Sequence, residues 1–131
     1  MEPSTIEVAA ALIQDEAGRY LIARRRHGSH LAGLWEFPGG KREPGESLEA
    51  CLQRELREEL TADFVVGEKV ETIRWPYGEK TVVLHFYRCR LRGGAIEPRE
   101  GQAIAWVAPS SLAQYEFPPA DLALIVRLSA G

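Results

Sequence analysis

Cysteine is nearly absent from this chain of 131 residues: only Cys51 and Cys89 occur, too few to staple a secreted scaffold. No stretch approaches the ~18–20 apolar residues of a membrane span, so no membrane role is expected. The start, Met1-Glu2-Pro3-Ser4-Thr5, lacks the basic residues and apolar run of a secretory signal, which with the cysteine count predicts a cytoplasmic protein. Excess positive charge is missing too. Against 16 Lys+Arg stand 19 Asp+Glu, a formal net charge of −3, which argues against a general coat for nucleic-acid polymers. There is no linker, repeat or low-complexity tract. What remains is 45% hydrophobic and 27% charged, an ordinary folded composition over a length that suits one domain across residues 1–131.

Charge is unevenly placed. All the basic residues but Lys41, Lys69 and Lys80 are arginines, and three adjoin at Arg24-Arg25-Arg26, a cluster that also suits a solvated strand end. Acidic residues gather at Glu43, Glu46, Glu49, Glu55, Glu58 and Glu59. A basic edge near an acidic helix suits an anionic ligand that carries metal.

Thr5 to Ile13 reads as a strand, with Ile6, Val8, Ala10 and Leu12 on one face. Asp15 to Gly18 is a turn, and Tyr20 to Ala23 reads as the returning strand of a hairpin. Arg26 to Leu34 has no period and reads as a loop. Ser47 is a good N-cap for a helix whose apolar row is Leu48, Leu52, Leu56 and Leu60. Two β-rich segments follow, Phe64 to Trp75 and Thr81 to Leu91, with Pro76 to Glu79 as the turn between them. A short strand at Ile104 to Val107, a helical turn or two at Pro109 to Gln114 and a helix from Pro119 to Ser129 complete the chain. The order predicts one α/β domain with a mixed sheet packed between helices.

The stretch from Gly39 to Glu59 is the most informative. Glu55, Glu58 and Glu59 share a helix face away from the leucine row. One reading is a salt-bridged surface, with Arg54 and Arg57 offsetting the repulsion. The other is a Mg²⁺ site, since Mg²⁺ takes oxygen ligands from carboxylates, water and substrate phosphates, and Gly39-Gly40 lets backbone approach a ligand closely.

Gly40, five residues, Glu46, seven residues, then Arg54-Glu55-Leu56-Arg57-Glu58-Glu59 resembles the Nudix box, the signature of the Nudix hydrolase family. Leu34 to Lys41, Glu100-Gly101-Gln102 and Phe117 to Asp121 are similar to its MutT-like branch, in that branch's order. The resemblance implies the Nudix fold. It also implies Mg²⁺-dependent hydrolysis of nucleoside triphosphates to monophosphate and pyrophosphate, with Mn²⁺ as a possible substitute. Such chemistry serves nucleotide-pool sanitation and DNA repair. Glu55, Glu58, Glu59 and the Gly39 carbonyl would bind metal, and Glu100 would complete the site. Glu55 or Glu100 would assist the attacking water. Arg54 and Glu46 would form a buried structural ion pair, Arg24 would reach a phosphate, and Lys41 would neutralise phosphate charge or simply lie on the surface.

Asp121 stands where the branch reads the base. A carboxylate suits an edge offering N–H groups, either cytosine or oxidised guanine, with a lean to the cytosine class; its other reading is a helix cap. Phe37 would stack on a base or belong to the core. Trp35, Trp75 and Trp106 read as packing, and Tyr77 as a possible pocket rim. His27, His30 and His85 lack metal-ligand spacing, and neither cysteine has a nucleophile's context. The box departs from pattern at Thr61, where a Gly usually ends the helix in the left-handed conformation, so the helix is expected to end differently here. Alternatives are hydrolysis of another nucleoside diphosphate derivative, a nucleotide-binding module without turnover, or a glycosylase accessory domain. The partner implied is the triphosphate, with the chain a monomer or homodimer.

Overall fold

The computed structural model describes residues 4–25 and 33–130. Arg26, His27 and His30, with most of the loop read from Arg26 to Leu34, lie outside the described residues. Strand β1, Ser4–Ile13, is the centre of the molecule. Ala9, Ala11 and Ile13 point into one core, and Ala10 and Leu12 into another. The alternation in the sequence is thus between two buried faces, which is why the run carries no polar residue after Glu7.

Among the described residues, seven strands form two sheets. In the larger, β1 runs parallel to β6 (Lys80–Gly93) and antiparallel to β4 (Gly39–Lys41), and β5 (Asp63–Tyr77) closes the edge beside β6. In the smaller antiparallel sheet, β2 (Tyr20–Arg24) lies between β3 (Trp35–Glu36) and β7 (Ile104–Val107). The chain does return at Tyr20, yet the expected hairpin does not form. Both edges of β1 are taken by β4 and β6, so a single bridge, Gln14 to Tyr20, is all that links it to β2. Leu21 still faces the first core and Tyr20 and Ile22 the second, so the two sheets act as one layer.

Helix α1, Leu48–Leu60, covers the first core with Cys51, Leu52, Leu56 and Leu60, each burial of a leucine being worth about 1.5–3 kcal/mol. Leu112, in the 3₁₀ segment Pro109–Gln114, covers the second core with Leu124 and Ile125 of helix α2 (Leu122–Ala130). The mixed sheet between helices is therefore present. Ser47 caps α1 as expected, its Oγ accepting the Ala50 N–H at 3.0 Å. The expected change at the other end is not found. Thr61 takes the left-handed conformation itself, φ 62° and ψ 23°, and donates its N–H to the Arg57 carbonyl as a glycine would.

Three smaller departures follow from local chemistry. The terminal helix is split, because Pro119 to Asp121 forms a 3₁₀ turn, closed by Asp121 N–H on Pro118 O, before α2 begins. β5 runs on through Pro76 to Tyr77, which an edge strand tolerates, leaving Gly78-Glu79 as the turn. Trp75 is exposed there, whereas Trp106 packs against the first core and Trp35 meets Tyr115 edge to face.

Candidate active site

A cleft of about 200 Å³ opens where β2, β3, the end of α1 and the loop before β7 converge. Arg24 and Arg25 line it from one side, and Glu36, Glu59, Glu100 and Gln102 complete it. The volume is below the roughly 300 Å³ at which ligand pockets begin, so the cleft takes part of a small molecule such as its phosphates. Arg25 donates through Nη1 to Glu36 Oε2 at 2.8 Å, while Arg24 Nε reaches the Gly33 carbonyl at 3.3 Å. Basic and acidic groups thus meet at one opening.

The helix supplies the acidic side. The Gly39 N–H donates to Glu59 Oε2 at 3.2 Å, setting the loop backbone against that carboxylate. Gly40 packs even closer to Glu55: a Cβ built there would lie 2.3 Å from the Glu55 carboxyl carbon. Glycine at this position is what leaves room for the carboxylate. Arg54 holds Glu46 through two bonds, Nε to Oε2 at 2.7 Å and Nη2 to Oε1 at 2.9 Å. It also donates to Glu55 Oε1 at 3.0 Å and to the Lys41 carbonyl at 3.2 Å. The pair ties loop to helix as expected, but it is half-buried rather than buried, with 26% and 17% of the two side chains exposed. Salt-bridged and ligand-directed readings of this face turn out to be compatible, because Arg54 takes one side of Glu55 and leaves Glu59 to the cleft.

Electrostatics distinguish the carboxylates. Burial first, then the charges of Glu36 and Glu55, pushes Glu59 up to about 8, against a pull down from the Gly39 N–H. Burial likewise raises Glu55, with Arg54 pulling it down, and raises Glu36 against the pull of Arg25. Glu46 is held at about 2 by its hydrogen bonds from Arg54. Partly buried carboxylates carried by α1 and β3, with oxygen as the donor atom, fit a hard divalent cation. Among the described residues no three acidic, histidine or cysteine side chains are gathered tightly enough to hold an ion as they stand.

Of the residues singled out in the sequence, Arg24, Glu59 and Glu100 line the cleft. Glu55 lies behind Gly40, and Glu58 is exposed on the rim, 3.5 Å from Arg54. Phe37 is not a stacking surface. It is 4% exposed, with Phe117 stacked on it and Tyr20 and Phe86 at its edges. Lys41 is exposed at the end of β4 and does not line the cleft, and neither does Tyr77 at the distant hairpin turn. Asp121 is buried, and burial followed by the charge of Glu36 raises it to about 7, Arg25 pulling the other way. The sequence reading missed Glu36, Arg25 and Gln102. A charged residue between Trp35 and Phe37, two side chains that pack inward, was the signal for Glu36.

Residues 9–127 match the NUDIX domain model. The chain is 42% identical over 125 residues to the CTP pyrophosphohydrolase of Escherichia coli (strain K12), covering 95% of this chain and 92% of that one. It is 38% identical over 128 residues to the 8-oxo-dGTP diphosphatase of Haemophilus influenzae (strain ATCC 51907 / DSM 11121 / KW20 / Rd), covering 98% and 94%. The crystal structure of the MutT protein from Methanosarcina mazei Go1 superposes with a TM-score of 0.85 at 28% identity, covering 99% of this chain and 96% of that one. Fold, loop–helix and relatives together define an enzyme that hydrolyses nucleotide phosphates. The chain belongs to the Nudix hydrolase family, whose members work with divalent metal ions.

Proposed function

We propose that residues 1–131 form one Nudix domain that hydrolyses nucleoside triphosphates to monophosphate and pyrophosphate with Mg²⁺, or Mn²⁺ in its place, as a cytoplasmic sanitiser of the nucleotide pool. The observation that carries this is the single cleft in which Glu36, Glu59 and Glu100 face Arg24 and Arg25. Carboxylates for a cation beside guanidinium groups for an anion suit a phosphate chain that arrives with its metal. Glu59, with Glu55 and Glu58 of the same helix, and Glu100 would hold a divalent ion that, when bound, would neutralise phosphate charge and acidify water. Arg24 holds phosphate oxygens. Glu55, with Glu100 as the rival, takes the proton of the water that attacks an internal phosphorus, and pyrophosphate leaves.

Cytosine nucleotides are the first substrate class. Asp121 is buried, and burial first, then the charge of Glu36, raises its carboxyl to about 7, so it readily carries a proton. Its carboxyl accepts when ionised and donates when protonated, which suits the amine or the ring nitrogen of cytosine. Oxidised guanine nucleotides are the second class, favoured by the relative named 8-oxo-dGTP diphosphatase.

Pyrophosphate release with Mg²⁺ across ordinary, methylated and oxidised triphosphates tests both, with Glu58→Gln beside the wild type. Turnover of one class, lost in Glu58→Gln, supports the proposal. A folded protein that turns over none of them overturns it. Near-wild-type turnover by Glu55→Gln moves the proton-accepting role to Glu100.

A further inference from the structure

Glu59 and Glu100 reach the cleft from different elements, and one side chain spans the gap between their main chains. Gln102 Nε2 donates to the Glu59 carbonyl oxygen at 3.4 Å, and its Oε1 accepts the Glu100 N–H at 3.1 Å. The flanking loop is pinned to the end of α1 by backbone groups. Glu97 N–H bonds Leu60 O at 2.8 Å, Arg99 N–H bonds Glu59 O at 2.9 Å, and Thr61 Oγ1 donates to Glu97 O at 3.2 Å. These bonds use carbonyls that a helix leaves without intrahelical partners. They stop at Arg99. Beyond it the chain reverses through Gly101, at φ +71°, with its N–H on Pro98 O. Gln102 therefore acts where the backbone bonds leave off. Only an amide side chain carries a donor and an acceptor on neighbouring atoms, and asparagine is one methylene short of the span.

We propose that Gln102 is a positioning residue of the hydrolysis, holding Glu100 at a fixed place relative to Glu59 so that the two carboxylates meet the same ligand. The inference rests on the cleft being the hydrolytic site. Its functional weight comes from geometry, since displacement of a catalytic group by about 1 Å costs on the order of 100-fold in rate.

Gln102→Met keeps the length and bulk of the side chain and removes both hydrogen bonds. In this variant kcat is expected to fall by about 10- to 100-fold with the nucleotide KM nearly unchanged. In a Glu100→Gln background, Gln102→Met is expected to cost nothing further, because the lost positioning acts through Glu100. Independently of activity, the Glu100 amide hydrogen is expected to exchange faster by NMR in Gln102→Met while the Tm falls by no more than about 4–8 °C and the fold is retained, and calorimetric Mn²⁺ binding is expected to weaken. Wild-type kcat in Gln102→Met, independent multiplication of the two effects, or an unchanged Glu100 exchange rate would overturn the inference. If Gln102→Met does not fold, Gln102→Asn provides the same three readouts. A wild-type protein that releases no pyrophosphate indicts the reading of the function instead, while the exchange measurement still decides the role of Gln102.

Discussion

Adjacent glycines in this protein fail in different ways when given a side chain. A Cβ at Gly39 would lie 2.0 Å from the Ala9 carbonyl oxygen, a backbone atom in the central strand. Gly39→Ala is therefore expected to destabilise the fold by several kcal/mol, about 3 or more, read as a loss of Tm. A Cβ at Gly40 meets only the end of the Glu55 side chain, which can move. Gly40→Ala is expected to fold with nearly wild-type Tm and to lose about 100-fold in pyrophosphate release. Equal Tm losses in the two variants would contradict this division. At this scale the box was legible because its spacing is dictated by one rigid loop and one helix. Phe37 and Glu36 were not legible. Glu36 ends the short strand β3 and Phe37 follows it, and which of them faced the cleft depended on where β3 paired in the smaller sheet.

The helix α1 shows what sequence reading gains and loses at the scale of an element. Its start was readable from Ser47, whose oxygen has one obvious donor to accept. Its end was not, because the cost of a left-handed threonine, about 1–2 kcal/mol, is offset by a bond to Glu97, 36 residues away. Thr61→Gly removes strain and bond together, so its Tm and turnover are expected to stay close to wild type. A large gain in rate would mean that the threonine impairs the site. Thr61→Val retains the branched side chain and loses the hydroxyl, and is expected to lose about 1 kcal/mol, or roughly 4 °C of Tm. Likewise the sheets were legible as strands, but the partner of β2 was not, since β1 had already given both edges to strands distant in sequence.

For the molecule as a whole, the shifted carboxylates set opposite slopes in stability against pH. Glu46, lowered to about 2, contributes stability that is present above its ordinary value near 4.5 and lost as pH falls toward 2. Glu59 and Asp121, raised to about 8 and about 7, bind protons in the fold that the unfolded chain has released. Stability of the metal-free protein is therefore expected to fall as pH rises from about 4 to 8, and His85, whose lowered value acts the other way, only softens the trend. Thermal melts from pH 3 to 9 check this, with the maximum expected near pH 4–5. Glu59→Gln is expected to flatten the alkaline limb, and Mg²⁺ at pH 8 to raise the wild-type Tm. A Tm that climbs steadily to pH 8 without metal would contradict the assignment.

The parallel pairing of β1 with β6 has a consequence for synthesis. Ser4 sits beside Lys80 and Ile13 beside Cys89, so the strand at the centre of both cores waits for its second partner until most of the chain has been made. The loop–helix carrying the acidic residues leaves the ribosome earlier, and it docks on a strand still open along one edge. Nascent chains stalled before Lys80 should consequently remain sensitive to proteases, and resistance is expected only once β7 and the second-core residues Leu112, Leu124 and Ile125 have also cleared the exit tunnel. Activity in this enzyme is acquired in the second half of translation, although most of the chemistry is encoded in the first.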